Sequence, residues 1–429
     1  MEQSHLNIMR FSIFVRMNLI IYNISIFLLR IGASIGAIFS AKTKQFVAGR
    51  KGLLKKIETE FKAENKQIAW FHCASLGEFE QGRPVIESFK KQFPNYKIVL
   101  TFFSPSGYEV CKNYALADYI YYLPLDTAPN AKQFINTISP SIVFFVKYEF
   151  WHHYLNELKK RAIPVVLFSA IFRGSQIFFK PYGGFYRNIL KCFNHIFVQD
   201  KNSIELLKNI KVQNTSVTGD TRFDRVWDIC QKTTVIPIAK VFKSNSTVMV
   251  IGSSWSEDHE VLVPFINQSE SMKFIIAPHE IKANENQRLI QKLQKSTTLF
   301  SQADESNITD YQVLIIDNIG MLSSLYQYGE YAYIGGAFGS GLHNILEAAT
   351  FGLPIFFGDR KYKKFNEAKE LIAKGGAFVI NNTESLRAKF DLLNENSTQH
   401  NQASEISKNY VKANTGATKT ILNYTINIL

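Results

Sequence analysis

The chain has 429 residues, of which 46% are apolar, and this length predicts two domains with a core in each. Lys and Arg number 49 against 36 Asp and Glu, so the formal net charge of +13 favours anionic partners such as phosphorylated substrates or a membrane surface. Because the basic residues are scattered and form neither zinc-finger spacing nor an RNP-like aromatic motif, nucleic acid is not an expected partner.

The N-terminal 40 residues are predicted to be a membrane anchor. From Met17 to Ser40 the chain is almost wholly apolar and, if helical, long enough to span a bilayer. The basic stretch 42–56 follows, which by the positive-inside tendency places the later domains on the cytoplasmic side. Asn23 and Arg30 interrupt the apolar run, so a spanning helix, an in-plane amphipathic helix and a buried core helix all remain open.

Residues 41–228 are predicted to form the first domain. Short apolar runs rich in β-branched and aromatic residues alternate there with amphipathic stretches, which is typical of parallel strands covered by helices on both faces. The predicted strands lie within KQIAWFHC, YKIVLTFF, SIVFFVK, PVVLFSA and HIFVQD. The four cysteines of the chain are widely spaced and form no CxxC pair, which indicates a reduced environment; Cys73 is expected to be a core residue.

Residues 229–246 break this rhythm and are predicted to be a linker. A second domain, residues 247–429, follows with strands within TVMVIGSS, MKFIIAP, QVLIID, YAYIGGAF and PIFFG, and with a closing helix in its polar tail. Two Rossmann-like sheets in tandem predict a ligand site in the cleft that the two domains face, because such sheets bind ligands at the carboxyl ends of their strands.

Polar residues follow several apolar runs of the first half. Glu78 comes after a Ser-Leu-Gly turn, where a carboxylate either complements a helix N-terminus or serves in catalysis. The turn with Ser104, Ser106 and Gly107 either holds a phosphate or caps a helix. Glu149 follows a third run.

Two further clusters of polar residues in this half are of the types that bind ligands. His152 and His153 are adjacent, so their side chains point apart on a helix, and no metal site is predicted. Arg173, Lys180 and Arg187 alternate with aromatic residues, a pattern that suits either an anionic lipid head group or an ordinary surface.

The second half carries a glycine-rich loop between a strand and a helix. Gly335 and Gly336 allow close backbone approach to a ligand, and His343 and Asn344 are expected to open a helix on which Glu347 shares the face of His343. Upstream, the hydroxyls of Ser253 and Ser254 also follow a strand. The chain has neither the P-loop pattern GxxxxGK[ST] nor a full dinucleotide-binding GxGxxG pattern. The predicted pocket therefore suits a nucleotide that is bound without either motif.

The order of these motifs resembles the 3-deoxy-D-manno-octulosonic acid (Kdo) transferases of lipopolysaccharide biosynthesis. The likeness runs from the anchor nearly to the end of the second sheet, through SLGE, SPSG, KYEFW, VTGDTRFD, GSSWSEDHE, APHE and GGAFGSGLHNILEAA. It implies an α/β fold of GT-B type and an inverting glycosyltransferase that moves Kdo from CMP-Kdo to a lipid A precursor at the anionic cytoplasmic leaflet of the inner membrane, without cofactor or metal.

The resemblance also assigns roles to individual residues. It implies that Glu78 is the general base and that acceptor binding involves Glu149, Ser106, Gly107 and Arg173. It implies a donor site formed by Ser253, Ser254, His279, Gly335, Gly336, His343, Asn344 and Glu347. Pro278 is followed directly by His279, where the family commonly has an intervening Arg, and Leu342 replaces a Gly before His343.

Two other functions remain open from the residues. A GT-B glycosyltransferase that uses a UDP-sugar and another lipid acceptor shares the fold, the anchor and a ribose contact of the Glu347 type. A membrane-tethered nucleotide-sugar binding protein without activity retains CMP binding but does not depend on Glu78.

Overall fold

A computed structural model describes residues 2–429, with side chains from residue 17 onward. Residue 1, where the predicted anchor starts, lies outside the described residues. The chain divides into two compact units, one of Met1–Asp224 with Gly416–Leu429 and the other of Arg225–Thr415. The fold is α/β of GT-B type, with one seven-stranded Rossmann-like sheet in each unit.

The first sheet is parallel, in the order β3-β2-β1-β4-β5-β6-β7. Its central strands are buried along their whole length, as expected for strands covered on both faces. The strands are β1 Ile68–Cys73, β2 Lys97–Phe102, β3 Tyr119–Tyr122, β4 Ile142–Val146, β5 Val165–Ala170, β6 His195–Val198 and β7 Thr215–Val217.

Helices cover both faces of this sheet. They are α1 Glu2–Phe39, α2 Ala41–Ala48, α3 Leu53–Phe61, α4 Leu76–Gln92, α5 Pro105–Cys111, α6 Ala128–Ile138, α7 His152–Lys160, α8 Gly184–Leu190, α9 Lys201–Asn209 and α10 Arg222–Gln231, with a 3-10 turn at Ile177–Phe179. The division between the two units falls inside α10.

The second sheet is also parallel, in the order β10-β11-β9-β8-β12-β13-β14. Its strands are β8 Val248–Ser254, β9 Lys273–Pro278, β10 Thr297–Leu299, β11 Val313–Ile315, β12 Tyr331–Ile334, β13 Ile355–Gly358 and β14 Ala377–Ile380. The helices around it are α11 Pro237–Lys243, α12 Ser256–Gln268, α13 Ala283–Lys292, α14 Leu322–Leu325, α15 Leu346–Thr350, α16 Asn366–Lys374, α17 Thr383–Glu395 and α18 Ser397–Ala413, with 3-10 turns at Phe300–Gln302, Ile308–Asp310 and Tyr326–Tyr328.

The last helix, α19 (Ala417–Ile426), belongs to the first unit, whereas the sequence placed it in the second domain. Its Ile421 and Leu422 join the core cluster that contains Phe79 of α4. The Asp224 carboxylate accepts the N–H groups of Gly416, at 2.5 Å, and of Thr418, at 2.7 Å, which fixes the start of α19. The chain therefore returns to the first unit after completing the second.

The predicted linker 229–246 is ordered in the structure. It contains the end of α10 and all of α11, whose Ala239 and Phe242 are buried. The N–H of Ile236 donates to the hydroxyl of Tyr328 at 2.7 Å, which attaches this segment to the second unit. The segment was predicted to be a linker because its polar and apolar residues are mixed without a clear period, although Ala239 and Phe242 are buried.

Helix α1 is the one helix among the described residues that is long and apolar enough to cross a membrane. The stretch Met17–Phe39 has a mean hydropathy of 1.7, and 11% of it is buried. Tyr22 is buried and its hydroxyl donates to Asp126, while Asn23 Oδ1 lies 2.7 Å from His153 Nε2. The polar side chain of Asn23 thus contacts His153 of the same unit. Helix α1 fits a membrane anchor that polar contacts attach to the first unit.

Arg50, in the basic stretch after the anchor, is a structural residue. Its guanidinium donates to the carbonyls of Phe46, Phe103 and Leu123 at 2.8 to 3.0 Å and lies 3.8 Å from the centre of the Phe46 ring. Burial lowers the pKa of Arg50 to about 10. Arg50 therefore contributes to packing, whereas the lysines of the stretch, Lys42, Lys44, Lys51, Lys55 and Lys56, are exposed.

Candidate functional site

The predicted residues of the first unit lie at the carboxyl edge of its sheet. Strand order reverses between β1 and β4, which are neighbours, and such a switch point is where open α/β sheets bind ligands. Glu78 follows β1 in the first turn of α4, and Glu149 follows β4. The structure therefore brings these two carboxylates to adjacent strand ends.

Glu78 is half-buried near the N-terminus of the 17-residue helix α4. The Ser75 hydroxyl, at the N-cap position, donates to its carboxylate. An acidic side chain at this end of a helix interacts favourably with the helix dipole. Burial raises the pKa of the Cys73 thiol, and the charges of Glu78 and Glu149 raise it further. Both carboxylates thus act on Cys73, which is fully buried and is a core residue as predicted.

Glu149 is buried, and two side chains that the sequence analysis did not select hold one of its oxygens. Its Oε2 accepts the indole N–H of Trp151 at 2.6 Å and lies 3.0 Å from His72 Nε2. Its Oε1 has no hydrogen-bond partner among the described residues. One oxygen is therefore fixed, and the other is left for a ligand.

The orientation of His72 follows from a chain of hydrogen bonds inside the sheet. Trp70 Nε1 can only donate, and it donates to Thr101 Oγ1 at 2.8 Å. Thr101 Oγ1 also lies 2.8 Å from His72 Nδ1 and 3.4 Å from the carbonyl oxygen of Phe71. His72 is thereby held with its Nε2 3.0 Å from Glu149 Oε2 and 3.2 Å from the indole nitrogen of Trp151.

The Ser-Pro-Ser-Gly turn packs on the turn that precedes Glu78. The N–H groups of Phe103 and Ser104 both donate to the carbonyl of Ala74, at 3.2 and 2.7 Å. Ser104 caps α5, and its Oγ lies 3.0 Å from Ser106 Oγ. A Cβ on Gly107 would lie 2.3 Å from the Phe102 ring, so this glycine permits close packing.

Arg173 is exposed beyond the end of β5 and lines a cavity of about 410 Å³ together with Tyr148, Phe150 and Phe178. Burial raises the pKa of Tyr148, the nearby Arg173 opposes this, and Glu78 adds to it. Tyr148 therefore lies close enough to Arg173 and to Glu78 for both charges to affect its hydroxyl. It is a further candidate residue of this site, which the sequence did not indicate. Arg187, by contrast, donates to the carbonyls of Phe178 and Lys180 at 3.0 and 2.8 Å and is structural.

The predicted residues of the second unit lie at the corresponding switch point, between β8 and β12. Ser253 has φ 53°, a left-handed conformation that is strained for a residue with a side chain and is often found at functional sites. Ser254 is buried, and its Oγ lies 3.0 Å from His259 Nε2. The N–H of His279 donates to the carbonyl of Ser254 at 2.9 Å, which places the end of β9 beside that of β8.

Gly335 and Gly336 are required by the backbone itself. A Cβ on Gly335 would lie 2.3 Å from the carbonyl oxygen of Ser253, and one on Gly336 would lie 2.3 Å from that of Gly341. Gly336 also has φ 91°. The two glycines thus allow the loops after β8 and β12 to pack together, a structural role beyond the ligand approach that was predicted.

Three rings stack beside this loop. Trp255 and His279 have centroids 4.6 Å apart, and His279 and His343 have centroids 4.2 Å apart. The indole N–H of Trp255 donates to His343 Nε2 at 2.9 Å. Burial lowers the pKa of His343 to about 4, with a further contribution from His279, so His343 is neutral near pH 7.

Glu347 does not share a helix face with His343, as the sequence analysis had expected, because α15 begins only at Leu346. Asn344 is the residue that contacts Glu347: its Nδ2 donates to Oε1 at 3.1 Å, while Ser323 Oγ donates to Oε2 at 2.6 Å. The glycine-rich loop, in which the N–H groups of Gly339 and Gly341 donate to the carbonyl of Gly336, continues up to Ile345. Asn344 and Glu347 therefore form a polar pair that can form hydrogen bonds with the hydroxyl groups of a ligand.

No group of three or more His, Cys, Asp or Glu side chains that could hold a metal ion occurs within the part of the chain that the structure describes. His152 and His153 are both at the start of α7, with partners of their own. His152 stacks on Phe185 at 4.7 Å, and His153 contacts Asn23.

A sequence model of the family described as 3-deoxy-D-manno-octulosonic-acid transferase (kdotransferase) matches residues 47–225. The chain is 27% identical over 362 residues to the 3-deoxy-D-manno-octulosonic acid transferase of Rickettsia bellii (strain RML369-C), a match that covers 82% of this chain and 85% of that protein.

Two solved structures share the fold at low sequence identity. UDP-GlcNAc 2-epimerase from Neisseria meningitidis, bound to UDP-GlcNAc, has a TM-score of 0.59 and 16% identity, covering 85% of this chain and 100% of that one. A glycosyltransferase from Rickettsia africae ESF-5 has a TM-score of 0.52 and 14% identity, covering 85% and 99%.

Proposed function

We propose that the chain is a member of the Kdo transferase family, a glycosyltransferase of lipopolysaccharide biosynthesis, and that it transfers Kdo from CMP-Kdo to a lipid A precursor. The family model over residues 47–225 and the similarity to the Rickettsia bellii transferase support this proposal. The observation that carries the proposal is Glu78, a half-buried carboxylate at the end of β1 and in the first turn of α4. This position is at the switch point of the first sheet, where Glu149 follows the neighbouring strand β4.

In the proposed reaction Glu78 is the general base. It takes the proton of an acceptor sugar hydroxyl, the hydroxyl oxygen attacks C2 of Kdo, and the bond from C2 to the phosphate oxygen of CMP breaks. CMP leaves with the bonding electron pair, and the configuration at C2 inverts. A positioned general base typically contributes about 10²- to 10⁴-fold to the rate.

On the acceptor side, Glu149 and Arg173 are proposed to bind the lipid disaccharide. Glu149 offers Oε1 to sugar hydroxyls because Oε2 is already held by Trp151 and His72. Arg173 is exposed at the cavity that includes Tyr148, where a guanidinium suits a phosphate on the acceptor. Ser106 and Gly107 are proposed to shape the adjoining turn.

On the donor side, the second unit is proposed to bind CMP. The pair of Asn344 and Glu347 suits the ribose hydroxyls. The remaining donor contacts are assigned to the edge formed by the loops after β8, β9 and β12, namely Ser253, Ser254, His279, Gly335, Gly336 and His343. The stacked, uncharged ring of His343 suits contact with a flat or apolar part of the donor.

The protein is proposed to act at the cytoplasmic face of the inner membrane. The apolar helix α1 supports this placement, since its exposed side carries large apolar side chains such as Phe27, Ile38 and Phe39. Lysines 42, 44, 51, 55 and 56 follow immediately in the sequence and suit an anionic leaflet.

The proposal is tested by replacing the base. Purified wild-type protein and a Glu78→Gln variant are incubated with CMP-Kdo and a tetra-acylated lipid A precursor, and the product is measured by mass spectrometry. We expect the variant to lose about 10²- to 10⁴-fold in rate while its affinity for CMP stays unchanged.

Glu87→Gln is the matched control, because Glu87 lies on the same helix, is exposed and pairs with Arg83 one turn away. It should transfer at the wild-type rate. Equal rates for wild type and Glu78→Gln remove Glu78 from its role, and a failure of all three proteins with CMP-Kdo but success with a UDP-sugar overturns the donor assignment.

A further inference from the structure

The donor edge of the second unit needs a positive charge that its helices do not supply. CMP-Kdo, the donor on which this inference rests through the proposed function, carries an anionic phosphodiester that becomes more negative as CMP leaves. Stabilising that charge requires a cation or a set of free N–H groups at the carboxyl ends of β8 and β12.

Helix α12 begins directly after Trp255, but its first turn carries two carboxylates, Glu257 and Asp258. Asp258 already accepts the N–H groups of Trp255 and Gly336, both at 2.9 Å. This helix end is therefore occupied by the protein's own acid and repels a phosphate rather than attracting one.

Helix α15 has five residues, so its dipole is short. The N–H of Leu346, its first residue, is already bound by Asn344 Oδ1 at 3.1 Å. In the glycine loop itself, the N–H groups of Gly339 and Gly341 donate to the carbonyl of Gly336, and that of His343 donates to Gly335. These three N–H groups of the loop are therefore occupied by the loop's own hydrogen bonds.

The nearby basic side chains of other segments are engaged elsewhere. His343 is neutral at physiological pH. The Lys282 ammonium donates to Glu280 and, at 3.4 Å, to Glu285. Burial lowers the pKa of Arg225, whose guanidinium is influenced by the charge of Glu347, so it belongs with the proposed ribose contact.

The loop between β13 and α16 carries four exposed cations in five residues: Arg360, Lys361, Lys363 and Lys364. Two backbone hydrogen bonds attach this loop to the glycine loop, from Lys361 N to the carbonyl of Ala337 at 2.8 Å and from Leu342 N to the carbonyl of Lys361 at 3.3 Å. The cations are therefore held beside the donor edge by the backbone.

Lys364 is the member of this cationic loop that reaches the glycine loop. A Cβ built on Gly341 would lie 3.6 Å from Lys364 Nζ, so the ammonium group lies beside this glycine, on the side where a side chain would project. Within residues 17–429 Lys364 makes no ion pair with a carboxylate. Glu257 approaches the same loop near Gly339, where a built Cβ would lie 2.7 Å from its Oε1.

We infer that Lys364 is the donor-binding cation of this chain, and that its ammonium group contacts the phosphate of the bound CMP-sugar beside Gly341. The loop after β13 supplies the positive charge that the segment Pro278–Glu280, which has no Lys or Arg, does not provide. The ammonium group lies 5.2 Å from the centre of the Phe365 ring but has no carboxylate partner among residues 17–429, so its charge is available to an anion beside the glycine loop.

The test compares CMP with cytidine, which lacks the phosphate. Affinities are measured by isothermal titration calorimetry for the full-length wild type and for Lys364→Met, which keeps the length of the side chain and removes its charge. We expect CMP binding to weaken about 10- to 100-fold, as for loss of a charge-assisted hydrogen bond, and cytidine binding to stay unchanged. Lys364→Arg should retain most of the affinity for CMP.

Lys363→Met is the matched control, because it removes an equal charge from the same loop. It should bind CMP nearly as well as the wild type. Unchanged CMP binding by Lys364→Met, an equal loss in Lys363→Met, or a parallel loss for cytidine overturns the inference while the proposed reaction stands. A folded wild type that binds no CMP overturns the proposed donor and this inference together, and that result is distinct from the others.

Discussion

Trp151→Phe tests the hydrogen bonds that hold Glu149. The substitution removes the indole N–H, which donates to the buried Oε2 at 2.6 Å and whose nitrogen also lies 3.2 Å from His72 Nε2. It retains an aromatic ring that can stack on Phe103, whose centroid lies 4.7 Å from that of Trp151. A hydrogen bond to a charged group contributes about 1.5–3 kcal/mol, and His72 still holds the same oxygen, so we expect a loss of about 1.5–3 kcal/mol in unfolding free energy.

The assay is denaturant unfolding combined with a double-mutant cycle. Wild type, Trp151→Phe, Glu149→Gln and the double variant are compared, and the coupling energy between the two side chains should reach about 1 kcal/mol or more. Trp255→Phe is the control: its indole donates to the neutral ring of His343, so its loss should be smaller, about 0.5–1.5 kcal/mol. Trp151→Phe within 0.5 kcal/mol of the wild type, or additive single losses, refutes this account of Glu149.

Two further expectations concern the second unit. Gly335→Ala should destabilise it by about 1–3 kcal/mol in denaturant unfolding, because the new methyl group would lie 2.3 Å from the carbonyl oxygen of Ser253. Gly184→Ala should be neutral, because its methyl group would come no closer than 3.7 Å to a neighbour, the Arg187 side chain. Equal stability of the two variants refutes the packing argument. The pKa of His343 is lowered by burial from 6.5 to about 4, so its stabilising effect is present above about pH 6.5 and is lost as the pH falls toward 4. His343→Gln should therefore lose less stability than the wild type between these pH values, and parallel pH profiles would contradict this.

The central strands were predictable because their sequences are continuous and apolar. Runs such as Ile142–Val146 have few other stable placements than the middle of a parallel sheet. The edge strands were missed for the opposite reason. Strand Tyr119–Tyr122 is short and consists mostly of tyrosines, which carry a polar hydroxyl, and strand Thr215–Val217 is partly exposed. Neither sequence therefore shows the continuous apolar run that predicts a buried strand.

The positions of Glu78 and Glu149 at strand ends followed from the order of motifs, but their partners did not. His72 faces Glu149 across 77 residues of sequence, and the pairing exists only because β1 and β4 are neighbours in the sheet. The path of α19 was equally hidden, since its contact with Asp224 spans more than 190 residues and leaves no local signal. Helix α15 begins late because the glycine loop closes on itself, a tertiary feature that spacing alone does not reveal.

The most direct test of the central claim is the mass of the lipid formed when purified, detergent-solubilised wild-type protein is supplied with CMP-Kdo and a tetra-acylated lipid A precursor. The account predicts a product heavier than the precursor by one or more Kdo residues, with release of one CMP for each Kdo added. A folded preparation that binds CMP but leaves the mass of the precursor unchanged would contradict it.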